Sequence, residues 1–142
     1  MHLLKNPAAD LSDRGEGPVP TELSVLVVED ARATADILGM FFEAEGHRVR
    51  VAYDGAEALK QAVVEPPDLI LMDLGLPEMN GLEVAREIRR HPFTKRVVVI
   101  ALTGYDDQEM LHRCAEHGFD AHLSKPADPE EIKRLVKVLF PD

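Results

Sequence analysis

The sequence predicts an α/β fold in which a five-stranded parallel sheet is covered by helices on both faces. Two unbroken apolar runs, at residues 69–72 and 97–102, contribute most to this prediction. A strand without polar alternation is typical of the middle of a parallel sheet, where both of its faces are buried. Strand and helix patterns alternate five times along the chain, which favours right-handed crossovers and a three-layer sandwich.

Residues 1–22 are rich in proline and glycine without any periodicity, and we expect a flexible tail or linker there. The domain is expected at residues 23–140, with no output domain after it. The chain has no apolar run of membrane-spanning length and no signal peptide pattern, so we expect no membrane insertion and a cytoplasmic location. The one cysteine, Cys114, excludes an internal disulfide.

Each expected element has a local signal. The first helix should turn Ile37, Phe41 and Ala44 inward as one stripe, with Leu38 and Phe42 beside it. Cap residues open the later helices, and glycines or prolines end them. The expected strands are 25–28, 48–52, 68–72, 97–102 and 121–124; the helices are 31–45, 55 to 65 after the cap Asp54, 81–90 after Asn80, 107 to 117 after Asp106, and a last helix after Asp128.

Polar residues follow four of these strands. Because parallel strands point the same way, the residues after their C-terminal ends lie along one edge of the sheet, where open α/β sheets bind ligands. If the strand order is 2-1-3-4-5, the first and third strands are neighbours there and three carboxylates face one another. The residues at this edge are Glu29, Asp30, Asp73, Thr103 and Lys125.

Three crowded carboxylates repel one another unless a cation lies among them, and oxygen ligands with open positions suit Mg²⁺. The Thr103 hydroxyl and the Lys125 ammonium are suited to phosphate oxygens. The pattern therefore indicates a phosphoryl-transfer site with Asp73 as its nucleophile. The net charge of −10 argues against direct binding of nucleic acid.

The acidic pair Glu29-Asp30, the stretch D-L-G-L-P-E-M-N-G at 73–81, T-G at 103–104 and K-P at 125–126 together resemble the receiver domain of two-component response regulators. The resemblance covers about residues 23–140. It implies a flavodoxin-like fold and a phosphoryl group received on Asp73 from a sensor histidine kinase or a histidine phosphotransfer protein. The signal would pass to a protein target, with the domain a monomer or a phosphorylation-dependent dimer.

The resemblance also implies roles for single residues. Asp30 and Asp73 would bind Mg²⁺ directly, Glu29 through water, and Gly75 through its backbone carbonyl. Thr103, the Gly104 N–H and Lys125 would bind phosphoryl oxygens, and the bond from Lys125 to Pro126 is expected to be cis. The domain would assist its own phosphorylation and dephosphorylation without being an enzyme on an external substrate.

One position departs from the family pattern. Where the family often has a tyrosine or phenylalanine, three residues before the lysine, this chain has His122. His122 or the nearby Tyr105 is a candidate for the switch residue, and the simpler interpretation is a solvent-facing histidine.

Two other functions stay open at this stage. A phosphatase of the haloacid dehalogenase type uses similar groups, but it has a second acid two residues after its nucleophile, where this chain has Gly75. A receiver-like module that takes no phosphate is the other, and the complete set of acids, threonine and lysine argues against it. The sequence is compatible with a stand-alone regulator and with the receiver of a hybrid kinase.

Overall fold

The computed structural model describes residues 2–3, 22–76, 79–104 and 108–141. Within these ranges it has six strands and five helices, which alternate as expected. The strands are β1 (His2–Leu3), β2 (Ser24–Val28), β3 (Arg48–Ala52), β4 (Leu69–Asp73), β5 (Val98–Thr103) and β6 (Ala121–Ser124), and the helices are α1 (Arg32–Ala44), α2 (Gly55–Val64), α3 (Gly81–Arg90), α4 (Gln108–Glu116) and α5 (Pro129–Leu139). The expected cap Asp106, like Tyr105 and most of the expected tail, lies outside the described residues.

The sheet order is β1-β6-β5-β4-β2-β3. The five strands from β2 to β6 are parallel and lie in the predicted order, since β2 is flanked by β3 and β4. The sixth strand was not predicted: β1 comes from the expected tail and pairs antiparallel with β6. The flavodoxin-like fold is confirmed, with an added edge strand.

The helices form two layers. Apolar residues of α1 and α5 pack on one face of the sheet, and those of α2, α3 and α4 pack on the other. β4 and β5 are buried along their whole length, as their unbroken apolar sequences predict. The described residues include no helix that is both long and apolar enough to span a bilayer.

The capping residues behave largely as predicted. The side chains of Asp54, Asn80 and Asp128 each accept a hydrogen bond from a backbone N–H in the first turn of the following helix. In the first turn of α2, the Glu57 carboxylate accepts a hydrogen bond from the Gln61 side chain at 2.9 Å.

The predicted inward stripe of α1 is wrong. Ala35, Leu38 and Phe42 are buried, whereas Ile37 is 66% exposed. Gly39 is also buried and faces β3, where an added Cβ would lie at ordinary contact distance, 3.6 Å, from a methyl group of Val49. The helix therefore turns its smallest residue toward the sheet, and Ile37 points away from it.

Candidate functional site

The acidic residues meet at the carboxyl edge of the sheet because two strands end at the same level. Val28 of β2 is paired with Met72 of β4, so the residues that follow, Glu29 and Asp73, are neighbours. The Glu29 N–H donates to the Ala52 carbonyl of β3 at 3.0 Å, which extends the pairing by one residue. The predicted adjacency of the first and third parallel strands is thus what assembles the site.

Three carboxylates form the centre of the site. Glu29, Asp30 and Asp73 each offer an oxygen within 4.8 Å of the other two. Glu29 and Asp73 are buried, whereas Asp30 is exposed. Two buried acids and one solvent-facing acid form a cluster that could hold a cation, and their carboxylate oxygens are of the hard kind that Mg²⁺ prefers.

Lys125 lies beside these acids. Its Nζ is 2.9 Å from Asp73 Oδ1 and 3.7 Å from Glu29 Oε1. The lysine directly follows β6, and its own N–H donates to the Thr103 carbonyl at 2.8 Å, which fixes the start of the side chain. The bond from Lys125 to Pro126 is cis, as expected.

The pKa values of Glu29 and Lys125 are both raised, which favours the neutral form of the acid and the charged form of the lysine. Burial raises the pKa of Glu29 to about 7; a hydrogen bond from the Ala31 N–H opposes this shift, and the nearby Asp73 and Asp30 add to it. Burial alone would lower the pKa of Lys125, but the hydrogen bond and charge of Asp73, with the charges of Glu29 and Asp30, place it above its ordinary value. Near neutral pH the lysine is therefore charged, while Glu29 is divided between its two forms.

A stability measurement checks the raised pKa of Glu29. Folded Glu29 binds protons more tightly than unfolded Glu29 between pH 4.5 and about 7, so its contribution to stability is lost as pH rises through that window. Without divalent cations, Glu29→Gln should raise the free energy of unfolding at pH 8 by on the order of 1–3 kcal/mol and change it little at pH 5. Urea unfolding in a chelator at both pH values measures this difference.

The matched control is Glu43→Gln, which removes an exposed acid from α1. Its effect should stay within about 0.5 kcal/mol at both pH values, as is usual for surface substitutions. An equal effect of Glu29→Gln at pH 5 and pH 8 would contradict the raised pKa.

The loop after Asp73 holds that carboxylate in place. The Gly75 N–H donates to Asp73 Oδ1 at 3.0 Å, the same oxygen that Lys125 contacts. A closer approach occurs at Gly81, where an added Cβ would lie 2.8 Å from the Asp73 carbonyl. The close approach of the Asp73 backbone therefore requires glycine at position 81, at the start of α3.

Thr103 and Gly104 lie at the end of β5. Thr103 is buried, and its carbonyl connects it to Lys125 through the backbone hydrogen bond described above. Gly104 is exposed, and a Cβ there would meet nothing within 4 Å, so the available space does not require glycine. Their assignment to phosphoryl oxygens stays a prediction.

The expectation that His122 faces solvent is wrong, because the residue is completely buried. Side chains alternate along β6, and Ala121 and Leu123 pack on the α1–α5 face of the sheet. His122 therefore points to the opposite face, where its paired neighbour Ala101 belongs to the core beneath α2, α3 and α4. Its role as a switch residue stays a prediction, as does that of Tyr105, which lies outside the described residues.

A cleft of about 610 Å³ opens beside the acids. Sequence reasoning missed part of its wall, which Thr34 and Ile37 of α1 form. These residues lie four and seven positions after Asp30, and this helical spacing was the available signal. The polar side of the cleft consists of Glu29, Asp30, Asp73, Gly75 and Lys125, and the other side includes Thr34, Ile37, Leu38, Pro126 and Ala127.

Comparison with known proteins identifies close relatives of this site and fold. A family model described as the response regulator receiver domain matches residues 25–137. The sporulation initiation phosphotransferase F of Bacillus subtilis (strain 168) is 32% identical over 117 residues, which cover 82% of this chain and 93% of that protein. The alkaline phosphatase synthesis transcriptional regulatory protein PhoP of the same organism is 35% identical over 82% of this chain, but the match spans only 48% of PhoP.

Solved structures give the same result. The receiver domain of the sensor histidine kinase PA1611 from Pseudomonas aeruginosa PAO1, which has a magnesium ion coordinated in its active site cleft, matches with a TM-score of 0.78 and 30% identity over 85% of this chain and 99% of that one. The receiver domain of the Saccharomyces cerevisiae response regulator Ssk1, solved in complex with the histidine phosphotransfer protein Ypd1, matches with a TM-score of 0.76 and 27% identity over 82% of this chain and 88% of that one.

Proposed function

Because this chain belongs to the response regulator receiver family, we propose that Asp73 is the residue on which it receives a phosphoryl group. The domain functions in two-component signalling, where an aspartate is phosphorylated from a histidine kinase or a phosphotransfer partner. The proposal assigns that chemistry to particular atoms of this chain. The observation that supports it most is the position of Asp73, whose Oδ1 lies 2.9 Å from the Lys125 ammonium within a cluster of three carboxylates.

The chemical step is a transfer between two protein side chains. A carboxylate oxygen of Asp73 attacks the phosphorus of a phosphohistidine, a P–O bond forms and the P–N bond breaks. The donor imidazole leaves with the electron pair and takes a proton from solvent. The burial of Asp73 and its two contacts from Lys125 and the Gly75 N–H orient the nucleophile before the donor arrives.

The residues present fit a Mg²⁺ ion. The fit rests on the three carboxylate oxygens within 4.8 Å of one another and on the raised pKa of Glu29, which is caused mainly by burial and increased further by the nearby Asp73 and Asp30. Asp30 and Asp73 would hold the ion directly, Glu29 through water and Gly75 through its carbonyl. When bound, the cation neutralises charge on the phosphoryl oxygens.

Lys125, Thr103 and the Gly104 N–H bind the transferred group in this proposal. Lys125 exchanges its contact with Asp73 for one with a phosphoryl oxygen, and Thr103 moves toward the same group. The change at Thr103 and His122 then alters the surface near β6 that a downstream protein target recognises. The domain contributes these groups to its own modification and acts on no external substrate.

The donor we propose is a sensor histidine kinase or a histidine phosphotransfer protein. The complex of the Ssk1 receiver domain with Ypd1 supports this class of partner. In this chain a donor reaches Asp73 through the open side of the cleft, past the exposed Asp30 and the wall formed by Thr34 and Ile37.

Incubation with acetyl phosphate and Mg²⁺ tests the assignment. Intact-mass measurement should find one added phosphoryl group in the wild-type chain and none in Asp73→Asn, because the amide is not nucleophilic enough to take the group. Asp36→Asn, which changes an exposed acid of α1, should label as the wild type does. Steady release of phosphate from unrelated monoesters would instead favour the phosphatase.

A further inference from the structure

The outer edge of β6 is covered by the chain's own N-terminus. In β1, His2 lies opposite His122 and Leu3 lies opposite Ala121 in an antiparallel pair. Without β1, β6 would be the edge of the sheet, and an uncovered edge presents backbone N–H and C=O groups to any extended chain. The N-terminal pairing therefore occupies a site where a strand can bind.

The opposite edge of the sheet is protected in another way. On β3, Arg48 and Arg50 place positive charge at the edge, and the Gln61 side chain of α2 donates to the Val51 carbonyl at 3.2 Å. These groups belong to the folded domain itself. β6 has no charged residue in its sequence Ala121–Ser124, so its protection depends on β1.

β6 also connects this edge to the phosphorylation site. The Lys125 N–H donates to the Thr103 carbonyl of β5 at 2.8 Å, so by alternation the Ala121 and Leu123 N–H groups face β5 and the His122 N–H faces β1. The residue after β6 is Lys125, whose Nζ contacts Asp73. Lys125 thus follows the paired residue His122 by three positions.

The β1 pairing is suited to exchange. Among the described residues it involves two, His2 and Leu3, so few hydrogen bonds hold it there. Residues 4–21 lie between β1 and the domain, and a chain of that length can extend on the order of 60 Å, against about 19 Å for the four strand spacings from β1 to β2. A tethered strand of this kind binds reversibly and without strain on the rest of the sheet.

We propose that β1 is an intramolecular strap that favours the arrangement in which Lys125 contacts Asp73, and that phosphorylation of Asp73 weakens its pairing with β6. The coupling rests on the proposed function, because Lys125 must leave Asp73 for the phosphoryl group. That movement begins one residue after β6 and disturbs the strand to which the strap is bound. By thermodynamic reciprocity, a docked strap opposes occupation of the phosphoryl site.

The first test is amide hydrogen exchange of His122, followed by NMR in the full chain. His2→Pro removes the donor opposite His122, and Ala9→Pro is the control outside the paired residues. Exchange at His122 should be roughly 3- to 10-fold faster in His2→Pro than in the control, the factor expected for one net backbone hydrogen bond. The Ala121 amide, which faces β5, should not change. Equal exchange at His122 in the two variants would show that the strap does not form.

The second test measures the coupling. Beryllofluoride with Mg²⁺, a phosphoryl mimic, is titrated while NMR amide signals are followed. His2→Pro should bind the mimic roughly 3- to 10-fold more tightly than Ala9→Pro, by the same factor. Equal affinities would overturn the coupling. Failure of every variant to bind the mimic would refute the proposed function, and the His122 exchange would still report whether the strap forms.

Discussion

Lys125→Met should slow phosphoryl uptake from acetyl phosphate by about 10²- to 10³-fold, the usual effect of removing one preorganised charge-stabilising group. In the wild type, the ammonium lies 2.9 Å from Asp73 Oδ1 and is charged near neutral pH because its pKa is raised. Methionine keeps the length of the side chain and removes the charge. The initial rate of uptake, measured by intact mass at fixed Mg²⁺, checks the prediction.

Lys133→Met is the matched control for this variant. Lys133 is 39% exposed, against 38% for Lys125, and it also contacts two carboxylates, those of Glu45 and Glu130. Because Lys133 lies on α5 and outside the cleft wall, its replacement should leave the uptake rate unchanged. Uptake by Lys125→Met within about threefold of the control would contradict the role of Lys125.

Arg89→Ala should lower the free energy of unfolding by about 3–5 kcal/mol, the range for breaking one side of a buried ion pair. Arg89 at the end of α3 donates to the buried Asp120 carboxylate at 2.9 Å, and the same oxygen accepts from the Val99 N–H at 2.8 Å. Without the guanidinium, the buried Asp120 carboxylate loses this ion pair. The other Arg89 acceptors are the backbone carbonyls of Gly118, Lys95 and Val97.

Arg90→Ala is the neighbouring control. Arg90 is exposed and contacts Glu87 one helical turn away, a type of pair that contributes at most about 1 kcal/mol. Urea unfolding of both variants at pH 7 gives the comparison. A loss below about 1 kcal/mol in Arg89→Ala would show that Asp120 finds other compensation.

The sequence was sufficient to predict the central site because its residues follow strands with unambiguous patterns. Glu29 and Asp73 each come after an unbroken apolar run, and parallel strand order brings such ends together. Lys125 precedes Pro126 and a strong helix start at Asp128, so its place after the last strand was also predictable. Local patterns and one topological rule therefore accounted for most of the site.

The errors concern properties that depend on contacts distant in sequence. The alternation in β6 assigns His122 to the face opposite Ala121, but only the packing decides that this face is covered. Ile37 and Leu38 are equally apolar, and only the packing of α1 against the sheet decides that Leu38 is buried and Ile37 exposed. The β1 pairing has no sequence signal, because two residues are too few for a period.

The pairing of Arg89 with Asp120 also depends on a contact between residues that are distant in sequence. The two residues lie 31 positions apart, and each has an ordinary role for its residue type when considered alone. Only the approach of the last turn of α3 to the loop after α4 explains why a buried carboxylate is tolerated there.

The position of the phosphoryl group tests the central claim most directly. After incubation with acetyl phosphate and Mg²⁺, borohydride reduction converts an aspartyl phosphate to homoserine, and peptide mass spectrometry then locates the converted residue. The account predicts conversion at Asp73 alone, although Glu29 and Asp30 offer carboxylate oxygens within 4.8 Å of it. Conversion at Asp30, the corresponding reduction product at Glu29, or no conversion in a folded protein would contradict it.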